Sequence, residues 1–140
     1  MLILDTSGLL AALDGTQRFH APAKRALADY EGVLLLSPFV LAELDYLLST
    51  RIGRNMEIAL LGEVGRGAYR LEPFSEDDVV EALGVIERYA DLGLGLADAS
   101  NVVLATRYDT LDVLTLDERH FRVLRGPHDR PFRLLPADAD

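Results

Sequence analysis

Cysteine is absent from the chain, which excludes both disulfides and thiolate metal sites and fits a reducing, cytoplasmic setting. No stretch reaches the roughly 20 uninterrupted apolar residues that a membrane span requires. The opening segment MLILDTSGLL carries no basic residues ahead of its apolar run, and Asp5 interrupts that run, so a signal peptide is not expected. Basic charge is also in short supply: 14 Lys and Arg stand against 23 Asp and Glu, a formal net charge of -9. A protein that bound nucleic acid through phosphate contacts alone should be basic. The balance still admits a nuclease whose carboxylates take up metal cations, or a basic protein partner. Aromatics are sparse at 7%, and no interleaving of aromatic and basic residues for reading single-stranded RNA is visible.

What is present is enough apolar material, 49% of 140 residues, to fill one domain core without covalent staples. The order of the apolar segments predicts an α/β domain over residues 1–135. Short apolar runs at 2–4, 33–36, 69–71, 113–115 and 132–135 read as strands. Helical stretches separate them, and the alternation implies a largely parallel central sheet flanked by helices. Local signals mark several helix starts. Ser37-Pro38 is an N-cap followed by proline at the first helical position, ahead of the stripe Val40, Leu41, Leu44, Leu47 and Leu48. Ser75 and Asp78 have capping-box spacing. The last residues, 136–140, read as a loose acidic tail.

Parallel strands deliver their C-terminal residues to the ligand-binding edge of an open sheet. Asp5 follows the first strand, and Asp117 lies just past the fourth. Asp98 opens a helix, and Glu43 sits in the second turn of another. Taken singly, each has an ordinary reading as a helix cap, a dipole partner or a solvated side chain. Taken together, four carboxylates from separated segments can converge on one edge. Two such charges about 4 Å apart repel by about 4 kcal/mol at an effective dielectric near 20, so protonation or a divalent cation must relieve them. Oxygen donors without cysteine suit Mg²⁺ or Mn²⁺ better than Zn²⁺. Such a cation can activate water and stabilise charge on a phosphodiester.

The hydroxyls of Thr6, Ser7 and Thr115 are placed to orient a carboxylate, with helix capping as the competing role of Thr6 and Ser7. Arg119, Arg122 and Arg125 follow Asp117 and could contact RNA phosphate, Arg119 and Arg122 being the nearer pair. His20, His120 and His128 read as surface residues. Asp45 is set aside because residues two apart on a helix point in different directions.

Four motifs in order carry a family resemblance. LILDTSGLLAAL resembles the opening of PIN domains, where the first strand ends in a metal-binding aspartate followed by a small hydroxyl residue. SPFVLAEL is similar to the helix that supplies the second acid, Glu43. LADASNVVLATRY resembles the third motif, with Asp98 as its acid, and VLTLDERHF the fourth, with Thr115 and Asp117 in the usual relation. Length and the DERHF segment point to the VapC branch. The resemblance implies a dimeric, Mg²⁺-dependent endoribonuclease acting as a toxin and neutralised by a cognate antitoxin, with Asp5, Glu43, Asp98 and Asp117 as catalytic and metal-binding residues. Other readings stay open at this point: a PIN-type RNA-processing nuclease without an antitoxin, a catalytically silent α/β binding module, and a phosphotransfer receiver or phosphatase. Against the receiver, no acidic pair follows an early strand and no lysine follows a late one.

Overall fold

A computed structural model describes all residues, 1–140. Five short strands form one parallel sheet: β1 (Leu2–Leu4), β2 (Leu34–Leu36), β3 (Arg70–Leu71), β4 (Asp112–Leu114) and β5 (Arg133–Leu135). Their spatial order is β3-β2-β1-β4-β5, so the chain winds outward from β1 in both directions. Pairing runs Ile3 beside Leu35 on one side and Val113 on the other, with Val113 beside Leu134.

Strand periodicity divides the apolar residues between two faces. Leu2, Leu4, Leu36, Leu114 and Leu135 belong to one core, with Leu9, Val40, Leu44, Leu48 and Leu60. Ile3, Leu35, Val113 and Leu134 belong to the other, with Val102, Leu104, Ala105, Phe121 and Leu124. Both faces are therefore covered, which is why the strands are continuous apolar runs instead of alternating ones. The first core is closed by α1 (Thr6–Leu13), α3 (Pro38–Leu47) and α4 (Arg54–Gly65), with a π-helical turn at Leu48–Ile52 joining the last two. The second is closed by α6 (Leu96–Tyr108) and α7 (Glu118–Phe121). The remaining helices, α2 (His20–Asp29) and α5 (Glu76–Arg88), pack against α1 and α6. No helix is long and apolar enough to cross a membrane.

Gly8 sets the closest packing in the frame. A Cβ built there would lie 2.3 Å from the Leu114 carbonyl oxygen. Only glycine lets α1 lie this close to the end of β4, and that contact brings the loop after β4 beside the end of β1.

One expectation about the periphery changes. Residues 136–140 were expected to be a loose tail. Instead Asp138 accepts from the Leu134 amide at 2.8 Å and from both terminal nitrogens of Arg122, each at 2.8 Å. Its backbone N–H donates to the Leu134 carbonyl, so the turn caps the outer edge of β5. Helix α5 carries Val79, Val80 and Leu83 on its outer side, 46–67% exposed, and packs inward through Ala82, with Val85 and Ile86 half-buried. The capping box at its start is complete in both directions.

Candidate active site

The C-terminal edge of the sheet collects the four expected carboxylates. Asp5, Glu43, Asp98 and Asp117 line one cleft of about 330 Å³, together with Thr6, Ser7, Leu10 and Leu47. Asp5 is placed by β1 and is only 4% exposed. It holds the N-cap position of α1, yet its side chain makes no cap hydrogen bond. Instead Oδ2 accepts from Thr115 Oγ1 at 2.7 Å and from Ser7 Oγ at 3.3 Å, and Oδ1 accepts from Asn101 Nδ2 at 3.3 Å. Thr115 Oγ1 also accepts from the Asp117 amide at 2.9 Å, while Ser7 Oγ accepts from the Leu116 amide at 2.9 Å. Through these bonds Ser7 and Thr115 stitch the loop after β4 to the end of β1, fixing Asp5 and Asp117 relative to each other.

Asp98 occupies the first turn of α6, where the helix N-terminus favours an anion. Glu43 comes from the exposed side of α3, beside the buried stripe of Val40 and Leu44. A hydrogen-bonded serine pair locks the two helices that carry these acids. Ser100 Oγ donates to the Ala97 carbonyl at 2.7 Å, and Ser37 Oγ lies 2.6 Å from Ser100 Oγ while accepting from the Phe39 amide. Asp117 divides its oxygens. Oδ1 caps α7 by accepting from the His120 amide, and Oδ2 lies 2.9 Å from His120 Nδ1.

The electrostatics follow from this crowding. Burial pushes Asp5 from its ordinary 3.8 up to about 7, opposed by the Thr115 hydrogen bond and reinforced by the charges of Asp98 and Asp117. Asp98 is raised as well, chiefly by burial. His120 works against that rise, while Asp117 and Glu43 add to it. Two buried oxygens at the site have no partner, Thr6 Oγ1 and Asn101 Oδ1. Unpaired acceptors beside mutually repelling carboxylates are the environment a hard divalent cation satisfies, so the residues present fit such an ion.

Two residues were not anticipated. His120, expected at the surface, is 18% exposed with Nδ1 3.2 Å from Asp98 Oδ2, and the potential ligand atoms of Asp98, Asp117 and His120 all lie within 4.8 Å of one another. The signal was its position three residues after Asp117, one helical turn away. Asn101 stands in the same relation to Asp98, one turn further along α6. The arginines divide. Arg122 is taken up by Glu118 and Asp138, which together hold its guanidinium well above the ordinary arginine range. Arg119 is exposed and makes no ion pair. Arg125 makes no ion pair either, and its amide donates to Tyr89.

A parallel α/β sheet with a carboxylate cluster and a histidine at its C-terminal edge fits the class of compact metal-dependent nucleases, and residues 2–126 match the PIN domain. The chain belongs to the PIN-domain family. It is 42% identical over 135 residues to Ribonuclease VapC26 of Mycobacterium tuberculosis, covering 96% of this chain and the whole of that protein. Solved structures share the fold. The Mycobacterium tuberculosis VapC20, a toxin that cleaves the sarcin-ricin loop, superposes with a TM-score of 0.78 at 23% identity, over 84% of this chain and 90% of that one. A toxin-antitoxin complex from Klebsiella pneumoniae superposes with a TM-score of 0.70 at 18% identity, over 91% and 95%.

Proposed function

We propose that the chain is a VapC-type endoribonuclease, the toxin of a toxin–antitoxin pair, hydrolysing RNA phosphodiester bonds at the cleft between β1 and β4. The observation that carries this reading is the convergence of Asp5, Glu43, Asp98 and Asp117 on one cleft, where burial and like charge oppose ionisation of Asp5 and Asp98. These four side chains would hold Mg²⁺ or Mn²⁺, which when bound supplies an activated water and stabilises charge on the phosphate. Thr115 and Ser7 orient Asp5, and Asn101 steadies its second oxygen. Arg119, with no acidic partner, is the residue we assign to RNA phosphate. Arg122 contributes to holding the C-terminal turn, because its charge is already neutralised.

The partner reading extends this. The relation to a VapC ribonuclease, and the fold shared with a chain seen in a toxin–antitoxin complex, support a cognate antitoxin, while the homodimer rests on the family resemblance alone. The stripe Val40, Leu44 and Leu48 is spent on the core, so an antitoxin helix would meet the outer residues Tyr46, Ile52, Ile58 and Leu61, which are 38–64% exposed. A basic antitoxin side chain reaching the carboxylate cleft would explain how an acidic protein is neutralised.

The test is cleavage of RNA with and without divalent cation, alongside Asp5→Asn. Cation-dependent cleavage that Asp5→Asn abolishes, with a cation-induced rise in melting temperature that Asp5→Asn also removes, is the expected result. Cleavage that persists in chelator would overturn the metal assignment.

A further inference from the structure

Four of the five phenylalanines are paired edge-to-face inside the fold, Phe39 with Phe74 and Phe121 with Phe132. The fifth, Phe19, is 45% exposed just ahead of α2, with the Arg18 guanidinium over its ring at 5.1 Å. Phe19 forms one wall of a slot of about 260 Å³ whose other walls include Pro22, Leu116, Glu118 and Pro136. The slot and the carboxylate cleft share one loop. Thr115 lines the slot and bonds Asp5, and Asp117 faces the cleft while its neighbours Leu116 and Glu118 face the slot. Beyond Pro22 and Pro136 the surface continues into a second depression that contains Arg25 and Arg133.

We infer that this slot receives an unpaired RNA base next to the scissile phosphate, stacked on Phe19, with Arg18 and Arg25 meeting the backbone on either side. The inference rests on the ribonuclease reading given above. The occupant's chemistry follows from the walls. An aromatic face, two prolines and a leucine offer a flat apolar surface of the size of a base and few hydrogen-bond donors to specify it, which favours stacking over edge recognition. Two arginines beside the slot are available to a polynucleotide, although Asp29 and Asp140 line the same depression as Arg25. Arg18 and Arg25 are exposed and make no ion pair, and the acid in the slot wall, Glu118, is held by Arg122 at 2.8 Å. Continuity with the cleft supplies the geometry, since a strand whose phosphate lies at Asp117 must pass one side or the other of the 115–118 loop. On this side it meets an exposed aromatic ring. Stacking adds affinity that does not depend on the net charge of -9.

The chain contains no tryptophan, so Phe19→Trp is a single fluorescent reporter within the slot. With Ca²⁺ in place of Mg²⁺ to slow cleavage, a single-stranded oligoribonucleotide should quench this reporter saturably, and an abasic strand of equal length should quench it far less. In Mg²⁺, Phe19→Ala should lower kcat/KM on the same oligonucleotide by about tenfold, within the range of losing one stacked base. Phe19→Trp should keep most of the activity, and Phe19→Leu should resemble Phe19→Ala. The cation-induced rise in melting temperature should be the same in all of them. Unchanged fluorescence under conditions where Mg²⁺ gives cleavage would overturn the slot and leave the ribonuclease standing. Wild-type activity in Phe19→Ala combined with weakened binding of an antitoxin would assign the slot to protein instead and overturn the inference. Failure of the wild type to cut or bind any RNA would overturn the ribonuclease reading and the slot with it.

Discussion

Two buried carboxylates at the same edge of the sheet have opposite surroundings. Glu72 follows β3 and is 3% exposed, and Asp5 follows β1 and is 4% exposed. Around Glu72 stand Arg70 at 3.0 Å, Arg107 at 3.2 Å and the hydroxyl of Tyr108, with Arg70 also stacked over the Tyr108 ring. Burial alone would raise Glu72, but the hydrogen bonds from Tyr108, Arg70 and Arg107 outweigh it and hold the carboxyl below its usual range. Around Asp5 stand hydroxyls, an amide and two further acids, and its carboxyl is pushed up to about 7. The first carboxylate is complete within the fold and serves to fasten β3 to α6. The second has no cationic side chain beside it and lies among like charges. Burial and the carboxyl group are shared, so neither separates the two roles. The sign of the neighbouring charges does.

The largest expected effect separates the two by activity. Asp98→Asn should reduce RNA cleavage by about 100-fold or more, the order seen when a group stabilising transition-state charge is lost, with unchanged circular dichroism. Glu72→Gln should leave cleavage nearly intact. Full cleavage by Asp98→Asn would remove the contrast. Next comes stability, where the roles reverse. Glu72→Gln takes the acid away from the half-exposed Arg70, while Arg107 keeps Asp78 at 2.8 Å, and should cost about 1–3 kcal/mol. Asp98→Asn should be neutral or slightly stabilising in chelator, since it removes repulsion. Denaturant titration measures both.

The pH dependence sharpens the comparison further. Asp5 has a folded-state pKa above its unfolded value. Its contribution is therefore full below about 4 and is lost as pH rises through about 7. Glu72 is depressed, so its contribution is present above its ordinary value near 4.5 and is lost as pH falls below that. In chelator, melting temperature should thus fall between pH 4 and 7 in the wild type and fall less in Asp5→Asn. Mg²⁺ should flatten the wild-type curve by favouring the ionised acids. Identical slopes for wild type and Asp5→Asn in chelator would show that Asp5 does not titrate as its surroundings require. The smallest effect belongs to the surface pair at the C-terminus. Asp138→Asn should lower stability only slightly, as exposed ion pairs do, and should leave cleavage untouched. A clear gain in the cleavage assay, from an Arg122 released by Asp138, would give Arg122 a part in RNA contact after all.

Much of this was legible in the chain. The apolar runs and their alternation with helical stretches define a parallel sheet, because period and length are local properties. Asp5 and Asp117 are readable as edge residues because Asp5 directly follows a strand and Asp117 lies three residues past one. The helix starts at Ser37-Pro38 and Ser75 follow from capping chemistry that is complete within four residues. The order of the four acidic motifs is likewise a property of sequence alone, and it is what the family relation rests on. The sharing of acids between metal-type and cation-paired roles was not legible. Glu72 and Asp5 each follow a strand, and only packing of α6 brings Arg107 to one and Asp98 to the other. His120 and Asn101 carry no distinctive local pattern and acquire partners only when α6 and α7 converge. The tail from Pro136 looks loose as a sequence because its anchor, Arg122, lies 16 residues away from Asp138. Local sequence determined the elements and the candidates, since propensity and periodicity act over a few residues. Tertiary structure decided which charges meet, because electrostatic partnership depends on distance through space.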